Sequence, residues 1–295
     1  MSATPRWSPY SPRRGAVAST VVGDLRVLHG LPGPPAGPDR EILVHLPRGA
    51  GAARPGSDAS GRRYPVLYMH DGQNLFDAAT AYAGEWEVDE TLALLEREGT
   101  ELIVVGIPNA REGRYREYTP YRGRGPHHAH GGGARAYVRW LARVVKPAVD
   151  ARWPTLPGRE STGVMGSSLG GLVSLWASVQ EPATFGLVGS MSTAVTPGQR
   201  AILRRLTHLE DPPVRAYLDV GGHEADDAPS PGLERLWSAR AVTDARRVRD
   251  ALFASGLAEG GTLLHLEDPD AVHREVYWAR RLPDALRFLY GPSRT

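Results

Sequence analysis

A serine in a glycine-rich turn is the sharpest chemical signal in this sequence. Gly166, Ser168 and Gly170 match the pattern G-x-S-x-G. An apolar stretch that predicts a strand precedes the turn, and residues 169–179 predict a helix directly after it. A serine at such a junction is held in a strained backbone conformation, and the two glycines leave room for the neighbouring strand and helix. Ser168 is therefore the candidate nucleophile, with Ser167 as the weaker alternative.

A serine nucleophile needs a base within hydrogen-bond reach. Ten histidines compete for this role. His273 stands between the last predicted strand and the final predicted helix, which is where the last catalytic group of a serine–acid–histidine chain order belongs. His223 is the alternative base.

The base in turn needs a carboxylate that orients it, and this acid is expected between the serine and the histidine. A loop that begins at Gly221, after a predicted strand, carries three carboxylates. Any of Glu224, Asp226 and Asp227 could orient the base, so the spacing leaves all three open.

Two backbone N–H groups are the expected donors to the oxyanion that forms when the serine attacks. The N–H of Leu169 opens the helix after the serine, and the N–H of Gln73 lies in the loop after the predicted strand 65–69. Gly72 lets the backbone approach the substrate closely. We expect Asp71, in the same loop, to contact the substrate, although an Asp at this place more often shapes its loop through hydrogen bonds.

An aromatic and arginine-rich stretch follows the predicted strand 101–107, so it should overhang the same edge of the sheet. Tyr115 and Arg116 are its candidate substrate contacts. His127, His128 and His130 form a His- and Gly-rich stretch without nearby carboxylates or helical spacing, and we interpret it as a loop. The sequence thus predicts no metal site and no cofactor.

Predicted strands and helices alternate from residue 65 onward. The strands are predicted at 17–28, 41–46, 65–69, 101–107, 162–165, 214–220 and 262–266. The helices are predicted at 88–98, 133–150, 169–179, 233–254 and 274–289. This order predicts an α/β fold with a mostly parallel central sheet, helices on both faces, and the ligand site at the carboxyl ends of the strands.

The first 64 residues differ in composition from the remainder. Two segments rich in Gly and either Pro or Arg, 31–38 and 48–63, interrupt the early predicted strands. We therefore expect residues 1–64 to form an amino-terminal extension with edge strands and flexible loops. Residues 65–295 would form the catalytic core, with the whole chain folding as one domain.

Composition excludes several classes of protein. The 295 residues carry 35 basic and 33 acidic side chains, a balance that argues against electrostatic binding of nucleic acid or of an anionic membrane. The absence of cysteine excludes thiol nucleophiles, disulfides and thiolate-bound metals. Because the sequence shows neither a signal-peptide pattern nor a run of about 20 apolar residues, we expect a cytoplasmic protein that does not enter the membrane. Its oligomeric state cannot be read from the sequence.

Four blocks of sequence resemble the “putative esterase” family of α/β-hydrolases. This family includes enterochelin and other siderophore esterases, feruloyl and acetylxylan esterases, and mycolyltransferases. The blocks are PVLYMHDGQNLFD (65–77) with GEWEVDETL (84–92), GVMGSSLGGLVSLW (163–176), YLDVGGHEADD (217–227) and VHREVYWARRLPDALRFLY (272–290). The resemblance implies the α/β-hydrolase fold.

The same resemblance implies a role for each matching residue. Ser168 would be the nucleophile, His273 the general base and Glu224 the acid, with the N–H groups of Gln73 and Leu169 as the oxyanion hole. The expected activity is hydrolysis of a small-molecule carboxylic ester, such as a siderophore-type or aryl ester, without metal or organic cofactor. The alternatives are an acyltransferase with the same triad and a non-catalytic binding protein on the same fold.

Overall fold

A single nine-stranded sheet runs through the protein. The computed structural model describes residues 5–12, 18–35, 37–52, 61–123 and 130–291. The strands are β1 (Arg6–Pro9), β2 (Asp24–Leu31), β3 (Arg40–Leu46), β4 (Val66–His70), β5 (Ile103–Ile107), β6 (Thr162–Ser167), β7 (Leu187–Met191), β8 (Arg215–His223) and β9 (Leu263–Val272). Their order across the sheet is β1-β2-β3-β5-β4-β6-β7-β8-β9.

The sheet is mostly parallel. The pairings β1–β2, β2–β3 and β3–β5 are antiparallel, and every pairing from β5 through β4 and β6 to β9 is parallel. The predicted α/β-hydrolase class, with its mostly parallel central sheet, is therefore confirmed. The carboxyl ends of β4, β6, β7, β8 and β9 meet along one edge, which is where this architecture builds its sites.

Helices cover both faces of the sheet. They are α1 (Val88–Arg97), α2 (Arg114–Tyr118), α3 (Ala134–Trp140), α4 (Lys146–Asp150), α5 (Leu169–Gln180), α6 (Ala201–Thr207), α7 (Pro231–Ala254) and α8 (Glu275–Tyr290). A π-helical turn (Leu141–Val145) joins α3 to α4 and makes one helical segment of them. Helices α1 and α8 pack on one face, while α3 to α7 pack on the other.

Alternating side chains of each central strand enter two separate cores. In β4, Val66 and Tyr68 point into the core beneath α3 and α5, whereas Leu67 and Met69 point into the core beneath α1 and α8. All four are at most 1% exposed. A strand buried on both faces reads as an unbroken apolar run, which is why the sequence pattern located the parallel strands.

The structure departs from the sequence-based expectations mainly in short elements. The predicted strand 17–28 is wrong at its start, because β2 begins only at Asp24. Strands β1 and β7 and helices α2 and α6 were not predicted, since each has at most seven residues and too little periodicity to stand out. Strand β8 continues to His223, so the loop expected from Gly221 begins at Glu224 instead.

The amino-terminal strands belong to the same sheet as the remainder. Strand β3 pairs with β5, and its first residue, Arg40, makes a bidentate ion pair with Glu117 of α2. Both side chains are 3% exposed. This pair fixes α2, which carries Tyr115 and Arg116, against the sheet. No helix among the described residues is both long and apolar enough to cross a membrane.

Candidate active site

Ser168 sits at a sharp turn between β6 and α5. Its backbone has φ 57° and ψ −121°, a conformation that a residue with a side chain adopts only when the surroundings impose it. The Ser168 N–H donates to the Met191 carbonyl at 2.9 Å, and the Ser168 carbonyl accepts from Leu172 at 3.1 Å. The turn therefore fixes the serine where the helix begins, half-exposed at the edge of the sheet.

The glycines around Ser168 are required to different degrees. A Cβ on Gly166 would lie 2.9 Å from the Gly170 backbone, and a Cβ on Gly171 would lie 2.6 Å from Ser190 Oγ. A Cβ on Gly170 would make ordinary contacts of 3.4 to 3.5 Å with His70 and Asp71. Gly166 is therefore required for steric reasons, as the sequence predicts, whereas at Gly170 the structure leaves more room than expected.

His273 and Glu224 form a hydrogen-bonded pair beside this turn. His273 Nδ1 lies 2.5 Å from Glu224 Oε2. The Glu224 side chain is 4% exposed and the His273 side chain 30% exposed. Because β9 runs to Val272, the histidine follows the strand directly rather than through a longer loop. A carboxylate on Nδ1 leaves Nε2 as the nitrogen available for proton transfer.

Three groups hold the Glu224 carboxylate in place. Its Oε1 accepts from the Gly221 N–H at 2.5 Å and from Ser192 Oγ at 2.7 Å, while Oε2 faces His273. Burial raises the pKa of Glu224, but the hydrogen bonds from His273, Ser192 and Gly221 outweigh burial and hold the pKa below its ordinary value. The carboxylate is therefore ionised at neutral pH.

Ser192 links this carboxylate to α8, a role that the sequence analysis missed. Its Oγ accepts from Trp278 Nε1 at 3.0 Å and from Arg281 Nη2 at 3.3 Å while donating to Glu224. The Ser192 backbone is left-handed, with φ 45°. The Trp278 ring also meets the His273 imidazole edge-on, with centroids 5.0 Å apart. No local spacing in the sequence connects these positions, so no motif could have revealed them.

The other candidate acids and the alternative base are engaged elsewhere. Asp226 pairs with Arg274 at 2.7 Å, and Asp227 is exposed. His223 Nδ1 lies 3.0 Å from Glu234, on the surface. Among the described residues, Glu224 is the carboxylate that hydrogen-bonds His273.

The turn after β7 connects Ser168 to the acid–base pair. Ala194 N–H donates to the Ser168 carbonyl at 3.1 Å, and two residues earlier Ser192 bonds Glu224. Within the part of the chain that the structure describes, Ser168 Oγ and His273 share no direct hydrogen bond. Such contacts are often long in enzymes without substrate and tighten when substrate binds.

The loop that carries Gln73 is held rigidly against β5. The Gln73 side-chain Oε1 accepts from the Asn109 N–H at 3.1 Å, and the Gln73 carbonyl accepts from Thr80 Oγ1 at 2.7 Å. A Cβ on Gly72 would lie 2.6 Å from the backbone of Gly106 and Ile107. This glycine is therefore needed for close approach to the neighbouring strand, a reason that the sequence did not show. No acceptor for the Gln73 or Leu169 N–H lies among the described hydrogen bonds.

Asp71 precedes this loop in a left-handed conformation, with φ 57°. Both of its carboxylate oxygens accept from Arg114, at 2.7 and 2.8 Å, and Oδ1 also accepts from the Asn109 side chain at 2.6 Å. The residue is 8% exposed. Asn109 thus bonds both Asp71 and Gln73, so the ion pair and the expected oxyanion donor belong to one braced loop.

His70 is buried and neutral. Burial lowers its pKa to about 3, and its Nδ1 lies 2.8 Å from the Tyr137 hydroxyl. It therefore belongs to the packing beneath the turn rather than to proton transfer.

The remaining predicted site residues lie in or near α2. Tyr115 and Arg116 are half-buried, and the Arg116 carbonyl accepts from the Gly133 N–H at 2.8 Å. Of the histidine stretch, His130 is exposed, and His127 and His128 lie outside the described residues.

The sequence matches a known family and several known proteins. The family model described as “Putative esterase” matches residues 36–289. The protein is similar to the uncharacterized protein YbbA of Bacillus subtilis, at 26% identity over 260 residues that cover 87% of this chain and 95% of YbbA.

Solved structures share the fold at lower identity. An IroE-like serine hydrolase from Shewanella oneidensis aligns with a TM-score of 0.65 and 18% identity, covering 97% of this chain and 80% of that one. The siderophore hydrolase EstA from Aspergillus nidulans aligns with a TM-score of 0.64 and 20% identity, covering 95% of this chain and 97% of that one. Because the family model spans most of the sequence, the chain belongs to the “Putative esterase” family and is a carboxylic ester hydrolase.

Proposed function

We propose that the protein is a serine esterase in which Ser168 is the nucleophile, His273 the general base and Glu224 the acid. The observation that carries the proposal is the 2.5 Å hydrogen bond between Glu224 and His273, on the sheet edge where Ser168 occupies its strained turn. A buried, ionised carboxylate on Nδ1 fixes the imidazole tautomer that accepts a proton at Nε2.

The reaction has two halves. His273 Nε2 takes the proton from Ser168 Oγ as that oxygen attacks the ester carbonyl, and the N–H groups of Gln73 and Leu169 stabilise the oxyanion. The tetrahedral intermediate then collapses, and His273 returns the proton to the departing alcohol. A water molecule, deprotonated by His273, attacks the acyl-enzyme and releases the carboxylic acid and the free serine.

The proposed substrate class is based on structural neighbours. We propose a siderophore-type or aryl ester, because structural neighbours of the same fold are named siderophore hydrolase and ferulic acid esterase. Tyr115 and Arg116 remain the proposed substrate contacts. For Asp71 we propose a positioning role in the oxyanion loop, since Arg114 and Asn109 already occupy its carboxylate.

The test is hydrolysis of p-nitrophenyl acetate and butyrate, followed by a panel of siderophore and aryl esters. Labelling by a fluorophosphonate probe, with the modified peptide identified by mass spectrometry, would locate the nucleophile. Modification at Ser168 together with turnover supports the proposal. Folded protein that neither turns over nor reacts would instead favour the non-catalytic binding protein.

Ser192→Ala should lower kcat about tenfold while changing KM little. The substitution removes one of the hydrogen bonds that hold Glu224 and leaves Trp278 Nε1 without its acceptor. The expected loss corresponds to about 1.4 kcal/mol of transition-state stabilisation. Steady-state kinetics on p-nitrophenyl butyrate would measure it. An increase in KM with unchanged kcat would contradict a role in positioning the acid.

Glu224→Gln should flatten the dependence of stability on pH in the acid range. The folded-state pKa of Glu224 lies below its unfolded value of about 4.3, so its ionisation stabilises the fold above that pH. This stabilisation is lost as the pH falls through the lower, folded-state pKa. We expect urea unfolding between pH 5 and 3 to show a shallower slope for Glu224→Gln than for the wild type. Asp227→Asn, an exposed change in the same loop, is the matched control, and equal slopes in all three proteins would refute the prediction.

A further inference from the structure

Three carboxylates meet at the start of α1, outside the proposed active site. One carboxylate oxygen from each of Glu85, Asp89 and Glu90 lies within 4.8 Å of those of the other two. Asp89 is 0% exposed, and the other two residues are half-buried. Carboxylates so close together in a poorly solvated place repel one another unless something positive or a proton joins them.

Among the described residues, no side chain supplies that positive charge. Glu85 Oε1, Asp89 Oδ1 and Glu90 Oε2 are each buried, and none of them accepts a hydrogen bond from an N–H group or a hydroxyl group of the described residues. None of the ion pairs formed by the described residues includes these three side chains. The nearby His45 has its Nε2 at 2.9 Å from the Val22 carbonyl oxygen. Burial lowers the pKa of His45, so its ring is neutral at pH 7 and supplies no charge.

We infer that Glu85, Asp89 and Glu90 bind a hard divalent cation, calcium or magnesium. Carboxylate oxygens are the ligands that hard cations prefer. Oxygens that all lie about 2.4 Å from one calcium ion are at most about 4.8 Å apart, so the three carboxylates are close enough together to share one ion. Asp89 Oδ1, which is buried and accepts from no N–H or hydroxyl group of the described residues, is the observation that distinguishes this cluster from an ordinary acidic surface.

The amino-terminal segment already binds to the other oxygens of the cluster. The Val22 N–H donates to Asp89 Oδ2 at 2.6 Å, and Thr20 Oγ1 donates to Glu85 Oε2 at 2.8 Å. Ser19 Oγ, in the same segment, donates to Asp77 at 2.9 Å, outside the cluster. A cation here would therefore fasten residues 18–22 and the first turn of α1 to each other.

The cluster is also connected to the loop that carries Gln73. Trp86 N–H donates to the Asn74 carbonyl at 2.9 Å, and Val88 N–H donates to the Leu75 carbonyl at 3.0 Å. The cation would thus stiffen the support of the oxyanion loop. A metal site here differs from the sequence-based expectation of none. Acids in the first turn of a helix are common because they interact favourably with the helix dipole, so they do not by themselves indicate a metal.

A bound proton is the competing way to neutralise the cluster. Burial, together with a side-chain hydrogen bond to Glu90 and the charge of Glu90, raises the pKa of Asp89 to about 8, and burial also raises the pKa of Glu85. A proton and a cation differ in their responses to chelator and to pH, so one set of melting curves separates them.

The experiment compares thermal unfolding of the full chain in EDTA with unfolding in calcium or magnesium chloride. A calcium or magnesium concentration a hundredfold above its Kd should raise Tm by roughly 5 °C. Terbium should bind one to one, with luminescence sensitised by the adjacent Trp86 and abolished by added calcium. Asp89→Asn and Glu90→Gln should each lose both responses, whereas Glu87→Gln, an exposed acid in the same stretch, should keep them.

Three results would overturn the inference. The first is a wild-type Tm that is identical in EDTA, in calcium and in magnesium. The second is a calcium response that survives in both Asp89→Asn and Glu90→Gln. The third is a Tm that rises as the pH falls from 8 to 6 but ignores every cation, which would assign the cluster to a shared proton. None of these readouts depends on esterase activity, so the inference stands or falls separately from the proposed function.

Discussion

Ser168→Ala should lower kcat/KM for p-nitrophenyl acetate by about a thousandfold or more and abolish fluorophosphonate labelling. Alanine keeps the turn and the start of α5 but removes the oxygen that we propose attacks the ester. The residual rate would come from substrate binding and the oxyanion donors, which the substitution leaves in place. Circular dichroism and Tm would show that the variant is folded, since the change removes one hydroxyl from a half-exposed position.

The matched control is Ser167→Ala. Ser167 is the last residue of β6 and is adjacent to Ser168 in the chain. Because it is buried, it cannot present its hydroxyl to a ligand in the same way. We expect this variant to keep activity within about threefold of the wild type. If Ser167→Ala lost activity and Ser168→Ala retained it, the nucleophile would be Ser167 and the proposed assignment would be wrong.

His273→Ala should cost about a thousandfold in kcat as well, because the serine hydroxyl is a weak nucleophile without a base. The double variant Ser168→Ala/His273→Ala should be little worse than either single variant, since the two groups act as a unit. The steady-state rates of the three proteins on p-nitrophenyl butyrate measure this non-additivity.

His223→Ala is the control for the base. This histidine is the last residue of β8, directly before Glu224, but its side chain lies on the surface against Glu234. Its removal should leave kcat nearly unchanged. If His223→Ala abolished turnover and His273→Ala did not, the proposed assignment of the base would be wrong.

The same residues would serve hydrolysis or acyl transfer, because both reactions pass through an acyl-enzyme. The two differ in what reaches that intermediate. Equimolar release of acid and alcohol in the presence of added alcohols would support water as the acceptor, whereas new esters among the products would indicate transfer.

Much of the site was predictable because its signals are local. The pattern around Ser168 needs only a strand, a tight turn and a helix in succession, and each of these has a sequence signature. The parallel strands were found because burial on both faces leaves an unbroken apolar run. Short elements such as β7 escaped, since five residues that include a glycine and a serine carry no usable periodicity.

Contacts between distant parts of the chain were decided only by the tertiary structure. The spacing left Glu224, Asp226 and Asp227 equivalent, and the fold puts Glu224 beside His273 across 49 residues of sequence. The bond from Trp278 to Ser192 spans 86 residues. The carboxylates before and within α1 carry no signal in the sequence, and only packing brings them together. Sequence determines the local backbone and which faces are apolar, whereas partners brought together by sheet order and helix packing leave no local pattern to find.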